Sequence, residues 1–169
     1  MSRRDEIVAV ARRLLEAGGP DAVTMRAIAD ELGIRAPSLY KHIADKHELE
    51  VAIMADCFAE QAEVFAAAVT GADDPVRAIG TAYRRWALDH PHLYRLMTDG
   101  PLPRADLPAG VEDAAAAPLV EAVGGNADRA RAVWAFAHGM VSLELAHRFP
   151  PDADLDQAWA TGLAGIATA

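Results

Sequence analysis

The stretch from residue 24 to residue 46 constrains the fold most, because it predicts two short helices joined by a tight turn. Thr24 is a hydroxyl residue suited to capping the first helix, and Gly33 can take the left-handed conformation that ends it. Pro37 is tolerated in the first turn of the second helix, where an amide has no partner in any case. Between Thr24 and Gly33 one apolar stripe recurs at helical spacing, formed by Met25, Ile28, Ala29 and Leu32.

The second helix of this pair has a surface suited to DNA. Leu39 and Ile43 are expected to face the first helix, which leaves polar and basic side chains outside. The residues at its start are small, as a helix entering a major groove about 12 Å wide requires. Hydroxyls and cations hold phosphates, and both lysines of the chain lie in this stretch. The pattern predicts a helix-turn-helix with candidate DNA contacts at Thr24, Arg26, Arg35, Ala36, Pro37, Ser38, Tyr40, Lys41, His42 and Lys46. A solvated helical hairpin inside a larger bundle is the alternative interpretation.

The distribution of charge matters more than its total. The formal net charge is −9, which by itself argues against nucleic acid as a partner. The first 50 residues hold eight Lys/Arg and nine Asp/Glu, whereas the remainder holds eight and sixteen. The acidic residues therefore lie mostly away from the predicted DNA face, and salt screens distant charges over about 8 Å. We expect limited non-specific affinity for DNA.

The remainder of the chain predicts helices only, so the fold class is all-α, with about nine helices in total. Asp45 and Glu48 resemble a capping box at the start of a long helix that continues through residues 49–70. Further helices are predicted at 76–90, 92–98, 111–123, 128–149 and 155–167, after a first helix at 3–17. We predict a three-helix DNA-binding domain at residues 1–47 and a helical ligand-binding and dimerisation domain at residues 48–169.

The last two helices predict a homodimer. The segment 126–149 is apolar around most of its circumference, and 155–167 carries a stripe of small and apolar residues. Such faces suit a four-helix interface across a two-fold axis. A single short recognition helix reads few bases, whereas a two-fold dimer reads two half-sites about 34 Å apart. The expected partner is therefore a palindromic, double-stranded DNA operator.

Aromatic and methionine side chains of the middle helices predict a site for a small apolar ligand. Such cavities combine an apolar lining with a few polar contacts, which a histidine or a tyrosine would supply here. The alternative is that these side chains form plain hydrophobic core. The candidate lining residues are Tyr83, Trp86, Tyr94, Met97, Trp134 and His138.

Several classes of protein are disfavoured by the sequence. There is no HExxH, GxSxG or Gly-rich phosphate loop, so we expect no catalytic residue, cofactor or metal. Cys57 is the only cysteine, which rules out an intrachain disulfide and fits a reducing cytoplasm. The longest uncharged run, 157–169, is shorter than the roughly 20 residues that span a bilayer. A DNA-binding scaffold without a ligand, and a helical enzyme without a recognisable motif, are the alternatives.

The N-terminal 50 residues resemble the DNA-binding domain of the tetracycline-repressor (TetR) family of transcriptional regulators. The resemblance implies a repressor that a small apolar molecule releases from its operator, with the helix at 49–70 acting as the lever. The segment 134–139, WAFAHG, resembles the Trp-His-Gly signature of one C-terminal domain type in the family. Arg35 and Ile43 depart from the family pattern, where Ser or Thr and Phe are common. The matching residues are Ile7, Ala11, Leu14, Leu15, Gly18, Gly19, Thr24, Ile28, Ala29, Leu32, Gly33, Leu39, Tyr40, His42, Lys46, Glu48 and Leu49.

Overall fold

The computed structural model describes residues 2–167, and this part of the chain contains helices and no strands. The all-α prediction is therefore confirmed. Met1, Thr168 and Ala169, at the ends of the two predicted domains, lie outside the described residues. The elements are α1 (Arg3–Gly18), η1 (Pro20–Ala22), α2 (Met25–Glu31), η2 (Ala36–Lys41), α3 (Lys46–Val69), α4 (Pro75–Asp89), α5 (Pro91–Thr98), α6 (Val111–Ala122), α7 (Ala127–Leu145) and α8 (Leu155–Ala167), where η marks a 3₁₀ helix.

Side-chain caps account for several helix starts. Thr24 Oγ1 accepts a hydrogen bond from the Ala27 amide at 3.1 Å, and Asp74 Oδ1 accepts one from the Arg77 amide at 3.0 Å. Asn126 Oδ1 accepts from the first amides of α7. Each of these caps satisfies an amide that the helix itself leaves without an acceptor. The predicted cap at Thr24 is confirmed.

The end of α7 differs from the prediction. The sequence predicts a helix to residue 149, but α7 ends at Leu145 because His147 takes a left-handed conformation, with φ of 51°. The His147 amide then bonds the Glu144 carbonyl, and the Arg148 amide bonds the Leu143 carbonyl, both at 3.0 Å. This is the hydrogen-bond pattern of a Schellman motif, in which glycine is usual. Because a histidine occupies the left-handed position, the sequence gives no glycine signal there.

The chain divides into two compact units. The first comprises the residues up to Cys57 together with His90–Ala109, and the second comprises Phe58–Asp89 and the residues from Gly110 onward. The helix α3 is continuous through the predicted boundary at 47/48, so that boundary stays a prediction.

The first unit is built around the contacts of α1 with α2 and with α5. Leu39 and Ile43 are fully buried, as the sequence predicts. The His90 Nδ1 lies 2.7 Å from Glu16 Oε1, and the His92 ring packs against Gly19. Leu93 and Tyr94 are buried as well. The segment after α4 is therefore part of the unit that contains the predicted helix-turn-helix.

The second unit contains a charged cluster between α4, α7 and α8. Arg84 donates to Glu144 Oε2 at 2.8 Å and to Asp156 Oδ1 at 2.6 Å, and Trp159 Nε1 donates to Glu144 Oε1 at 2.6 Å. Burial by itself lowers the pKa of Arg84, but the hydrogen bonds to Asp156 and Glu144 raise it overall. The guanidinium also lies 5.6 Å from the Trp159 ring centre. These contacts join three helices at one charged group.

Gly162 allows α7 and α8 to approach each other closely. A Cβ at this position would overlap the Phe136 ring, which stands edge-on to Trp159 with ring centres 5.7 Å apart. The glycine of the predicted small-residue stripe is thus required by packing against α7. Within residues 2–167 we find no helix with the length and apolar character needed to cross a membrane.

Candidate nucleic-acid interface

The turn of the predicted helix-turn-helix forms as the sequence predicts. Gly33 takes φ of 64°, and the Ile34 amide donates to the Ala29 carbonyl at 3.0 Å. A Cβ at Gly33 would meet nothing within 4 Å, so the conformation rather than space requires a glycine.

The second helix of the motif is a 3₁₀ helix, a type that the sequence pattern does not specify. The Ser38 amide bonds the Arg35 carbonyl at 2.8 Å, and the His42 amide bonds the Leu39 carbonyl at 2.8 Å. A 3₁₀ helix has three residues per turn, so side chains three apart line up along it. Ser38 and Lys41 are therefore aligned, and Arg35 precedes the helix as its N-cap residue. We call Arg35, Ser38 and Lys41 the recognition row, while Leu39 faces the core.

All ten candidate DNA contacts lie at the surface of the first unit. Ala36 and Ser38 are part-exposed, and the other eight residues are exposed, including Tyr40 at 55%. They lie on η2 and the residues flanking it, at the start of α2 and at the start of α3.

The cations of this surface fall into two groups. Arg26 lies 3.9 Å from Asp30, and Lys46 lies 3.7 Å from Glu50, both as exposed pairs one helical turn apart. Such pairs contribute only a few tenths of a kcal/mol, so a phosphate can replace the carboxylate at small cost. In contrast, across residues 2–167 no ion pair or side-chain hydrogen bond involves Arg35 or Lys41.

The start of α3 is capped by two carboxylates. Asp45 Oδ1 accepts from the Glu48 amide at 2.8 Å, as predicted, but Glu48 Oε2 accepts from the Ala44 amide rather than from Asp45. The reciprocal half of the capping box is therefore shifted by one residue. The other Glu48 oxygen lies 3.3 Å from Arg4, which links α1 to the start of α3.

His47 is a residue of this surface that the sequence analysis missed. Its Nε2 lies 2.9 Å from Asp106 Oδ2, which belongs to the segment between α5 and α6. The hydrogen bond to Asp106 raises the pKa of His47 above its usual 6.5, and the charges of Asp106, Asp45 and Glu50 act in the same direction. The partners are 59 residues apart, so no local pattern could have identified the contact.

The candidate ligand residues are divided between the two units. Tyr94, which is buried, and Met97, which is half-buried, belong to the first unit. Tyr83 and Trp86 are buried in the second unit, where Trp86 Nε1 donates to Glu60 Oε1 at 3.0 Å. The Tyr83 ring lies 6.2 Å from Phe65. Buried aromatic groups beside a carboxylate are therefore found in the second unit.

Trp134 lies on the outside of α7 and is 52% exposed in the single chain. Its ring stacks on His138 with centres 5.7 Å apart, and Leu143 on the same helix is 43% exposed. Trp134 and His138 are among the predicted lining residues of the apolar ligand site, and that assignment stays a prediction. In the single chain, α7 buries the side that carries Val133, Ala137 and Val141. It exposes the side that carries Trp134.

Metal-ligating side chains do not cluster among the described residues. Within residues 2–167 no cluster of three or more His, Cys, Asp or Glu side chains is placed to hold a metal ion. Cys57 is completely buried.

Comparison with known proteins connects this geometry to a family. Residues 7–53 match the family model "Bacterial regulatory proteins, tetR family". Residues 76–166, more than half of the chain, match "Tetracyclin repressor-like, C-terminal domain". The description of this second match does not mention the Trp-His-Gly type, which stays a prediction.

Two relatives and one solved structure show the extent of the similarity. The uncharacterized HTH-type transcriptional regulator Rv0681 of Mycobacterium tuberculosis is 30% identical over 84% of this chain and 70% of its own length. An HTH-type transcriptional regulator of Saccharopolyspora erythraea is 32% identical over 95% of this chain and 68% of its own length. A TetR variant from Acinetobacter baumannii AYE, in complex with minocycline, shares the fold, with TM-score 0.66 and 23% identity over 99% of this chain and 95% of that one.

The matched models cover both the helix-turn-helix and most of the helices that follow it. The relatives are regulators of transcription and not enzymes. The chain belongs to the TetR family of DNA-binding transcriptional regulators.

Proposed function

We propose that this regulator is a homodimeric repressor that binds a palindromic operator and leaves it when a small, mostly apolar molecule binds. The observation that carries the proposal is the exposed recognition row on η2, whose cations have no partner within residues 2–167. A DNA-binding regulator acts where the chromosome is, so the proposal includes a cytoplasmic location.

The DNA contacts divide by chemistry. Thr24 uses its oxygen to cap α2 but keeps a hydroxyl hydrogen that can be donated to a phosphate. Lys46 and Arg26 can exchange their exposed carboxylate partners for phosphates. The small side chains at the start of η2 would allow its backbone to approach the base edges. We therefore assign Thr24, Arg26, Tyr40, Lys41, His42 and Lys46 to the backbone, and Arg35, Ala36, Pro37 and Ser38 to the groove.

The dimer would form through α7 and α8. Trp134 and Leu143 expose apolar area on α7 that a partner copy would remove from water. Stable interfaces bury about 1,200–2,000 Å² in total, which favours two long helices from each copy over a single side-chain contact. A two-fold axis would then present the recognition row to successive major grooves.

The ligand would bind among the middle helices, with Tyr83 and Trp86 of the second unit as the favoured contacts. Their buried rings and the nearby Glu60 carboxylate combine apolar area with a polar group, as ligand sites do. The related TetR variant is in complex with minocycline, which supports a ligand of some kind in this fold. A ligand lowers operator affinity only if it binds the free and DNA-bound conformations with different affinities.

Selection of bound sites from random duplexes, using the whole purified chain, tests the DNA half of the proposal. We expect an enriched palindrome and affinity for it at least about a thousandfold above that for random DNA. Arg131→Ala is the charge control, since Arg131 is an exposed cation on α7 paired with Asp128. A protein that binds random DNA nearly as well as any selected site would be a scaffold, and the repressor proposal would be wrong.

A screen of small molecules against the operator complex tests the other half. We expect at least one apolar compound to weaken operator binding, and Tyr83→Ala to reduce that response without changing affinity in its absence. If no compound in a broad screen changes operator affinity, the ligand-responsive part is wrong while sequence-specific binding still holds.

A further inference from the structure

We propose that Arg35 sets the sequence preference at one position in each half-site by binding the major-groove edge of a guanine. This inference rests on the proposed sequence-specific binding. It assigns a specificity role to a single residue that the family resemblance does not supply, because Ser or Thr is common at this position.

The first step is the availability of the side chain. Arg35 is exposed, and within residues 2–167 it makes no ion pair and no side-chain hydrogen bond. Arg26, the other arginine of this surface, lies near Asp30 on the exposed side of α2. Among the described residues, Arg35 therefore has no ion pair or side-chain hydrogen bond to break before it binds a base.

The second step is position. The 3₁₀ geometry advances about 2 Å per residue, so Ser38 and Lys41 lie about 6 Å apart along η2, and Arg35 precedes the helix. Ala36 and Pro37 are small, which lets this part of the chain approach the floor of the groove. Arg35 stands at the end of the row with an extended backbone, φ −84° and ψ 137°, just before the helix begins.

The third step is chemistry. The planar guanidinium presents two parallel donors that match O6 and N7 of guanine, and arginine to guanine is the commonest specific contact in the major groove. The Lys41 ammonium is a point charge without this fork and suits a phosphate at the other end of the row. The two unpaired cations of the row thus have different roles, and the guanine position is the one nearest Arg35.

The test compares Arg35→Ala, Arg35→Gln and Arg35→Lys with the matched control Lys41→Ala. Each full-length variant is measured on the duplex selected by the unaltered protein and on duplexes changed one base pair at a time. We expect Arg35→Ala to lose about ten- to a hundredfold affinity for the selected site and to lose its preference at one symmetric guanine. Arg35→Gln should shift that preference towards adenine, whose N6 and N7 match an amide.

The controls separate the possible outcomes. Lys41→Ala should weaken binding to all duplexes alike and reduce the salt slope by about one unit. Because the Arg35 side chain is exposed and has no ion pair or hydrogen bond among the described residues, the free energy of unfolding of its variants should lie within about 0.5 kcal/mol of the parent value. If Arg35→Ala weakens every duplex equally or changes none, Arg35 does not read a base and the inference is wrong. If the unaltered protein itself selects no sequence, the proposed function fails instead.

Discussion

The outer surfaces of η2 and α7 are both exposed helical surfaces, but they carry opposite chemistry. On η2 the exposed groups are cations and hydroxyls with small residues between them, and Leu39 points inward. On α7 the exposed groups include Trp134 and Leu143, while Val133, Ala137 and Val141 point inward. A polar surface with unpaired cations suits DNA, whereas an aromatic surface suits another protein chain. The chemistry of the solvent-exposed side of each helix therefore indicates the kind of partner that the helix binds.

Two arginines differ in the same way, in their exposure and in their carboxylate partners. Arg35 is exposed and, among the described residues, has no carboxylate partner. The side chain of Arg84 is 21% exposed and binds Glu144, which is 7% exposed, and Asp156. A guanidinium that already donates to two carboxylates stabilises the fold but has few N–H donors left for a ligand. An unpaired one contributes nothing to stability and is available for binding.

The largest expected effect on operator binding comes through the proposed dimer. Trp134→Asp places a charge on the exposed side of α7, where a buried tryptophan at an interface commonly contributes at least about 2 kcal/mol. We expect dimer dissociation to increase by more than about thirtyfold, and operator affinity to fall with it. Sedimentation equilibrium and operator titration measure the two effects. Trp134→Phe is the control and should retain most of the dimer. If Trp134→Asp leaves dimer dissociation unchanged, the interface lies elsewhere.

The largest expected effect on stability is at the charged cluster. Arg84→Ala leaves Glu144 buried without its cation, and such losses cost about 3–5 kcal/mol. Arg85→Ala is the matched control, because Arg85 is exposed and its pair with Asp89 should contribute at most about 1 kcal/mol. Urea denaturation gives both values. Equal destabilisation by the two changes would mean that the Arg84 cluster is as weak as a surface ion pair.

A smaller change is expected at the start of α3. Lys46→Ala removes one proposed phosphate contact, so affinity should fall by a similar factor for every DNA sequence. The slope of log affinity against log salt should decrease in magnitude by about 0.9. Filter binding or fluorescence anisotropy at several salt concentrations measures this slope. A loss confined to one sequence would contradict the assignment of Lys46 to a phosphate.

The smallest effect is a pH dependence of stability at His47. The contact with Asp106 raises the pKa of His47, so the protonated form is favoured in the folded state. The stabilisation by this ion pair is complete below pH 6.5, the usual pKa of histidine. It is lost as the pH rises through the higher pKa that His47 has in the folded state. Asp106→Asn should therefore lower the melting temperature slightly at pH 6 and not at pH 9. His47→Gln should likewise lower the melting temperature at pH 6 and not at pH 9. A change in melting temperature that is the same at both pH values would exclude the ion pair.

Much of the candidate site could be predicted from the sequence because its signals are local. The cap by Thr24, the left-handed turn at Gly33 and the inward-facing Leu39 each depend on residues within four positions along the chain. The resulting helix-turn-helix surface includes every candidate DNA contact. The family match then places this surface in a DNA-binding regulator.

The contacts that were missed join residues far apart in the chain. The pair of His47 with Asp106 and the pair of His90 with Glu16 link segments 59 and 74 residues apart. Likewise, the six candidate ligand residues fall in two different units, a division that their helical spacing does not reveal. Periodicity identifies which residues lie on one side of a helix but not what that side meets.

By itself the sequence determined the helices, their caps and the turn of the DNA-binding motif, because hydrogen bonds between near neighbours decide these features. The tertiary structure decided that η2 is a 3₁₀ helix, which aligns Ser38 with Lys41 and leaves Arg35 just before the helix. It also decided that α7 buries one side in the single chain and leaves Trp134 in water. The physical reason is that these outcomes depend on packing between distant segments, which a local pattern does not record.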